Sequence, residues 1–426
     1  MSSMTGKPEF ERFDMTAPPV RTKWYLRPLT YILSAPDVAK HRCIIRKINT
    51  EGLKPPFVLL CNHNAFMDFK VATKAIFPWR ANYIVAIDGF IGREKLLRNV
   101  GCICKRKFTD DLVLIKHLIQ TIKNGDVAVI YPEARYSLCG TTAVLPESLG
   151  KLCKLLKVPV VTLICHGHHI NSPFWTLHDR GVKPTEAEFT QIFDAEEIKK
   201  ASVTEINERI TEIFQYDDYK WQKERGIRVT YDRRAERLHK VLYQCPACKT
   251  EYKMSSNKTV LKCNACNKEW LMTELGELQA ASGITEFSHI PDWYEWERMN
   301  VRQEVETGSY STGELPVRVD SLPNAKRFIP LGKGTMTHDM NGFRVSVTDD
   351  AGNNYEMVKT VPSLYSCHIE YEYLGKYGDC VDLNTLTDTW YIYPDPSECE
   401  FSVTKMALAT EELFYNGKSG QNLHRP

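Results

Sequence analysis

Phe57-Val58-Leu59-Leu60-Cys61-Asn62-His63-Asn64-Ala65-Phe66-Met67-Asp68 joins an apolar run to a histidine and a carboxylate five positions apart. The run predicts a buried strand from Phe57 to Cys61. A helix beginning near Phe66 would bring Asp68 back toward His63. An imidazole takes a proton near neutral pH, and a carboxylate within reach fixes its tautomer and stabilises the imidazolium that forms. The stretch therefore reads as a strand that ends in a chemical site.

Outward from it, strand and helix signals alternate. Tyr83 to Ala86 reads as a strand and Ile91 to Arg98 as a helix. Gly101 to Lys107 then places Lys105, Arg106 and Lys107 after a short apolar run. Leu112, Ile115, Ile119 and Ile122 recur at helical spacing, with Thr109 or Asp110 as the cap and Gly125 as the stop. Val127 to Tyr131 is β-rich and leads into Pro132-Glu133-Ala134-Arg135-Tyr136-Ser137. After a helix from Glu147 to Leu156, the apolar run Val158 to Cys165 suits a central strand buried on both faces. Val203, Ile206, Ile210 and Ile213 mark one face of a further helix. The pattern over residues 41–240 is an α/β domain with a central, mostly parallel sheet flanked by helices.

Length and composition agree with more than one such unit. A chain of 426 residues implies two or three domains. Hydrophobic residues at 43% and charged residues at 25% exclude disordered, coiled-coil and collagen-like classes. The net charge of +2 selects no class of partner. Fourteen cysteines behind a polar Met1 to Glu11 lacking a signal-peptide core point to a reducing cytosol. Leu29 to Leu33 and Val158 to Cys165 are too short to span a bilayer. The expected location is cytoplasmic, peripheral on the cytoplasmic membrane face.

Residues 1–40 read as a loose tail followed by Arg21 to Leu33, which mixes cations with Trp24, Tyr25 and aliphatic residues. That mixture fits an interfacial segment or a helix covering a core groove. Cys245, Cys248, Cys263 and Cys266 form two CxxC pairs separated by 14 residues. This is the spacing of a tetrahedral zinc site, with a redox or disulfide tetrad as the rival that a reducing compartment disfavours, so residues 241–275 are expected to be a small zinc ribbon with a structural Zn²⁺. Its modestly basic flanks, with no aromatic stacking platform, argue against nucleic acid. In Cys165-His166-Gly167-His168-His169 the adjacent imidazoles would point in different directions, so they are expected to line the cleft rather than hold a metal. Trp293-Tyr294-Glu295-Trp296 fits a membrane contact or packing between domains. Residues 276–312 read as a linker. Short β-like runs with turn signals from 313 to 418, closed by a helix from Val403 to Phe414, predict a β-rich domain, a barrel or sandwich of pleckstrin-homology-like shape.

The stretches around His63 and Asp68, around Lys105 to Lys107, around Glu133 to Ser137 and around Val158 to Val160 share the order and spacing of the glycerolipid acyltransferase family, which acylates 1-acylglycerol-3-phosphate. The resemblance covers roughly residues 41–225. It implies acyl transfer from acyl-CoA or acyl-carrier protein to a hydroxyl of a lysophospholipid. It further implies His63 as general base oriented by Asp68. Lys105, Arg106 and Lys107 would then be a cationic grip on phosphate, with Glu133 and Arg135 positioning the glycerol and its phosphate, and amides after His63 serving the oxyanion. The third stretch departs from the family's usual Pro-Glu-Gly-Thr-Arg-Ser: Ala134 replaces the glycine, the arginine comes one position early, and Tyr136 stands in its place. A non-catalytic lipid-binding scaffold, with the ribbon and β-rich domain recruiting partners, is the alternative.

Overall fold

The computed structural model describes residues 3–5, 10–176 and 178–418. A short strand, β1 (Ser3–Thr5), and helix α1 (Leu26–Lys40) come first. A seven-stranded sheet is then built from β2 (Ile44–Ile48), β3 (Val58–Cys61), β4 (Ala81–Ala86), β5 (Cys102–Lys105), β6 (Val127–Ile130), β7 (Val160–His166) and β8 (Glu186–Phe193). Its order is β2-β8-β7-β3-β6-β4-β5. Only β7 with β8 is antiparallel. β3 and β6 are buried along their whole length, which is why both are unbroken apolar runs.

The connecting helices are α2 (Met67–Ala75), α3 (Glu94–Asn99), α4 (Leu112–Lys123), α5 (Ser148–Leu156), α6 (His168–Asn171), α7 (Ala195–Lys200), α8 (Val203–Ile213) and α9 (Asp218–Glu224). Asp111 caps α4, in place of the expected Thr109 or Asp110. Its extended backbone lets the carboxylate accept from the N–H groups of Val113 and Leu114.

The cysteine module is a four-stranded antiparallel sheet of β9 (Met254–Asn257), β10 (Val260–Cys263), β11 (Glu269–Met272) and β12 (Leu278–Ala280). The segment 276–312, expected as a linker, contains β12 and the 17-residue helix α10 (Ile290–Glu306). Glu297 and Arg298 are buried on α10 among its apolar residues, so charge hid its inward face. The Trp293 cluster packs inside the protein: the Trp293 ring lies 5.0 Å from Trp270 and its Nε1 donates to the Gln244 carbonyl at 3.0 Å.

The C-terminal strands are β13 (Ser311–Ser321), β14 (Ile329–Asp339), β15 (Gly342–Thr348), β16 (Asn354–Thr360), β17 (His368–Glu370), β18 (Cys380–Asn384) and β19 (Thr389–Pro394), followed by α11 (Val403–Asn416). They make one antiparallel sheet of eight, ordered β1-β16-β15-β14-β13-β19-β18-β17. The expected barrel or pleckstrin-homology-like shape is thus a single sheet whose ends, among the described residues, are β1 and β17. Ser3 to Thr5, read as loose tail, adds the strand beyond β16.

Twelve of the 14 residues of α11 are buried, including Glu411 and Glu412. Glu411 accepts from Arg135 of the first domain, Arg298 of α10 and the Ser366 hydroxyl, each at 2.7 Å. One carboxylate therefore ties three parts of the chain together. Glu411→Gln leaves two buried guanidinium groups without that charge. It is expected to cost about 3–5 kcal/mol, read as a lower urea midpoint. Glu212→Gln, on an exposed ion pair, is expected to leave the midpoint unchanged.

Candidate active site

His63, Lys105 to Lys107, Glu133, Arg135 and His168 all follow or end strands at the carboxyl edge of the first sheet, where the crevice of an open α/β sheet lies. Asp68 reaches the same edge from the first turn of α2. Its side chain is fully buried. Oδ2 accepts from the N–H of Asn64 at 2.6 Å and of Ala65 at 2.9 Å. His63 Nδ1 stands 3.6 Å from the same oxygen. The two amides nearest His63, expected to serve an oxyanion, are instead donated to Asp68. Burial would push the Asp68 carboxyl up, but hydrogen bonds and charge from His168 and His63 hold it down at about 2.

The His63 ring sits between Tyr131 and Tyr136, with centroids at 4.5 and 4.2 Å, and its side chain is 23% exposed. Its backbone N–H donates to Glu133 Oε1 at 3.0 Å. Glu133 Oε2 accepts from the N–H of Ala143 at 2.8 Å and the Tyr216 hydroxyl at 3.1 Å. Burial lifts the Glu133 carboxyl to about 8 against these bonds. Glu133, expected to position substrate, is 1% exposed and holds the backbone of His63.

The expected phosphate cations face protein. Lys105 Nζ donates to the Thr109 carbonyl at 2.5 Å and its hydroxyl at 3.0 Å. Arg106, 1% exposed, donates to the carbonyls of Leu322 and Pro323 and to Thr389 Oγ1. Lys107 Nζ lies 3.5 Å from Asp382 Oδ2, which also meets His368 Nδ1 at 2.7 Å. Arg135 turns away to Glu411. The arrangement replaces the expected phosphate grip of Arg106 and Arg135 with buried anchors for the C-terminal domain. Ala134 supports that turn at φ 55°, a left-handed backbone that suits the glycine it replaces better than alanine. Tyr136 covers His63 and meets Phe174 at 5.8 Å.

The three histidines after Cys165 do point apart. His166 Nδ1 is 3.6 Å from Asp218. His169 lies between Trp175 and Tyr219. His168 Nδ1 meets Asp68 Oδ1 at 2.5 Å, a partner that sequence spacing could not reveal. Donor atoms of Asp68, Cys165 and His168 lie within 4.8 Å of one another. A metal among them is disfavoured, since two ligands each about 2 Å from a tetrahedral zinc stand roughly 3.3 Å apart; the Asp68–His168 contact is a hydrogen bond.

Cys245, Cys248, Cys263 and Cys266 form a second group within 4.8 Å. The Cys245–Cys266 and Cys248–Cys263 sulfurs are 3.8 and 3.7 Å apart, close to the roughly 3.8 Å edge of a tetrahedron of zinc thiolates and far beyond a disulfide. The Cys248 thiol is lowered to about 6, where hydrogen bonds from Thr250 and the neighbouring cysteines outweigh the upward effect of burial. The cluster fits a zinc ion.

Residues 42–166 match the family model described as Acyltransferase. Among solved structures, the chain is similar to the crystal structure of the 1-acyl-sn-glycerophosphate (LPA) acyltransferase from Thermotoga maritima. The identity is 15% and the TM-score 0.38, over 45% of this chain and 77% of that one. No curated protein matches the chain.

Metal analysis of the purified, reduced protein is expected to find one zinc per chain, and none after replacement of all four cysteines by serine. Zinc retained by the fourfold variant, or absent from the native protein, would sink the assignment.

Proposed function

We propose that the chain is a glycerolipid O-acyltransferase. It moves a fatty acyl group from acyl-CoA or acyl-carrier protein to a hydroxyl of a lysophospholipid such as 1-acylglycerol-3-phosphate, with His63 as general base. One observation carries the reading: His63 Nδ1 faces the buried Asp68 at 3.6 Å within the segment that matches the acyltransferase family. The acceptor hydroxyl gives its proton to His63 Nε2 as its oxygen attacks the thioester carbonyl. Collapse of the tetrahedral intermediate breaks the C–S bond, and the imidazolium returns the proton to the leaving thiolate. Asp68, on the other ring nitrogen, stabilises the imidazolium between these steps. No covalent enzyme intermediate is required. The zinc is structural, since four thiolates fill its coordination.

The same reading places the protein on the cytoplasmic membrane face. No helix among the described residues is long and apolar enough to cross a membrane. α1 presents Ile32 and Leu33 outward at 62% and 67% exposure, with Trp24 just before it at 74%. Of the seven Lys and Arg in residues 21–48, Arg27 is buried and Arg21 and Arg46 pair with Asp126 and Glu186, which leaves Lys23, Lys40, Arg42 and Lys47 exposed, while Lys70 pairs with the single Asp37. An apolar face with an excess of cations suits an anionic bilayer surface. Phe66, three residues after His63, is 63% exposed beside it.

The engagement of Arg106, Lys107 and Arg135 with the C-terminal domain favours the second reading, a lipid-binding scaffold without turnover. A screen of lysophospholipid acceptors with acyl-CoA and acyl-carrier protein separates the two. His63→Ala is expected to lower turnover by about 10²–10⁴; an unchanged rate would overturn the base, and no turnover by the native protein would promote the scaffold. Ile32→Asp with Leu33→Asp is expected to reduce co-sedimentation with anionic vesicles, and unchanged binding would move the docking surface elsewhere.

A further inference from the structure

Asp68 faces two imidazoles. His168 Nδ1 meets Oδ1 at 2.5 Å, whereas His63 Nδ1 stands 3.6 Å from Oδ2. His168 opens α6, 100 residues along the chain from Asp68, and is 1% exposed. We propose that His168 is a positioning residue for His63: its Nδ1–H holds the Asp68 carboxylate in place and, as an imidazolium, offsets the negative charge that His63 feels. This rests on the reading of His63 as the base.

The groups around the pair leave Asp68 as the anion that both rings share. Cys165 from β7 and Cys43 from the loop before β2 lie against His168, and Cys61 at the end of β3 lies near Asp68. Tyr131 and Tyr136 flank His63, with Glu370 and Asp88 acting on Tyr136 from further off. Burial pushes the Cys165 thiol up to about 12 and the Cys61 thiol and Tyr131 hydroxyl well up, so these groups stay neutral near pH 7. Glu133 reaches only the backbone N–H of His63. Burial works against a charged His168, and the Asp68 carboxylate, 2.5 Å from Nδ1, acts in the opposite direction and raises the ring. Since Cys165 is neutral, the carboxylate is the charge that keeps the proton there.

The arrangement has a chemical use. A general base must be unprotonated when substrate arrives, and a fully charged, buried Asp68 beside His63 would keep its proton on to higher pH. With His168 offsetting part of that charge, Asp68 orients the ring without over-stabilising the imidazolium.

His168→Asn tests this, because the asparagine amide donates from nearly the position of Nδ1 but carries no charge. Removing the cation leaves more of the Asp68 charge to His63. The acid limb of the kcat/KM profile is therefore expected to move up by about one pH unit, with KM for both substrates little changed and the thermal midpoint lowered, because the buried Asp68 loses a charged partner. The titration of the His63 ring, followed by NMR of the ¹³C-labelled histidines and assigned by its loss in His63→Gln, is expected to move up with it. His168→Ala should also lower the plateau of kcat roughly tenfold by freeing Asp68; if it fails to fold, the asparagine variant decides alone. A profile and a His63 titration that superimpose on the native ones, or that move to lower pH, overturn the proposal. A native protein without turnover would overturn the acyl-transfer reading, while the His63 titration would still decide the role of His168.

Discussion

A carboxylate with no exposed surface is stable only where its charge is matched, and Asp68 is matched by two backbone amides and two imidazoles. That requirement fixes much of the local structure. The loop after β3 must curl so that Asn64 and Ala65 point their N–H groups back at the first turn of α2. β7 must end where His168 can reach the same side chain. Asn62 ties the two strand ends together, its amide donating to the Cys165 carbonyl at 2.9 Å and accepting from the Cys165 N–H at 2.8 Å. His63 thus projects from a loop whose two neighbours are each bonded to something buried, a rigid mount for the imidazole.

A second constraint acts from outside the first sheet. Arg106 and Arg135 are buried among groups that come from residues 322–411, so the C-terminal sheet and α11 are part of the same folded body as the first domain. α10 and α11 pack together, and α10 in turn covers the cysteine module through Trp293. The module lies one layer away from the chemistry: its strands support α10, and α10 supplies Arg298 to the Glu411 carboxylate that holds Arg135. Four thiolates around a metal there would leave no coordination position for a reactant.

What was legible in the sequence follows from what is local. β3, β6 and β7 declare themselves as apolar runs because both faces of a parallel sheet are covered. His63 and Asp68 are close in sequence and meet across one turn. The four cysteines are recognisable because two short knuckles set their spacing. The rest depends on contacts that no local pattern encodes: His168 meets Asp68 across 100 residues, Arg106 meets Thr389 across 283, and Arg135 meets Glu411 across 276. Before folding, a cation that will anchor a domain is indistinguishable from one that will bind phosphate. α10 escaped notice for a related reason, since Glu297 and Arg298 face inward and interrupt the apolar stripe that marks an ordinary amphipathic helix.

The surroundings of His63 are consequently drawn from both domains. His63 is held by Glu133 after β6 and by Asp68 of α2, which His168 after β7 holds in turn. One side of His63 is walled by Tyr136 and, beyond it, Phe174. Behind them stand His368 and Tyr371 of the C-terminal domain, at 6.2 and 5.5 Å from the Phe174 ring. A wall of aromatic and imidazole rings favours stacking and hydrogen bonding over charge. The C-terminal domain thus draws Arg106, Lys107 and Arg135 into its own anchorage and sets His368 and Tyr371 behind the rings that flank His63.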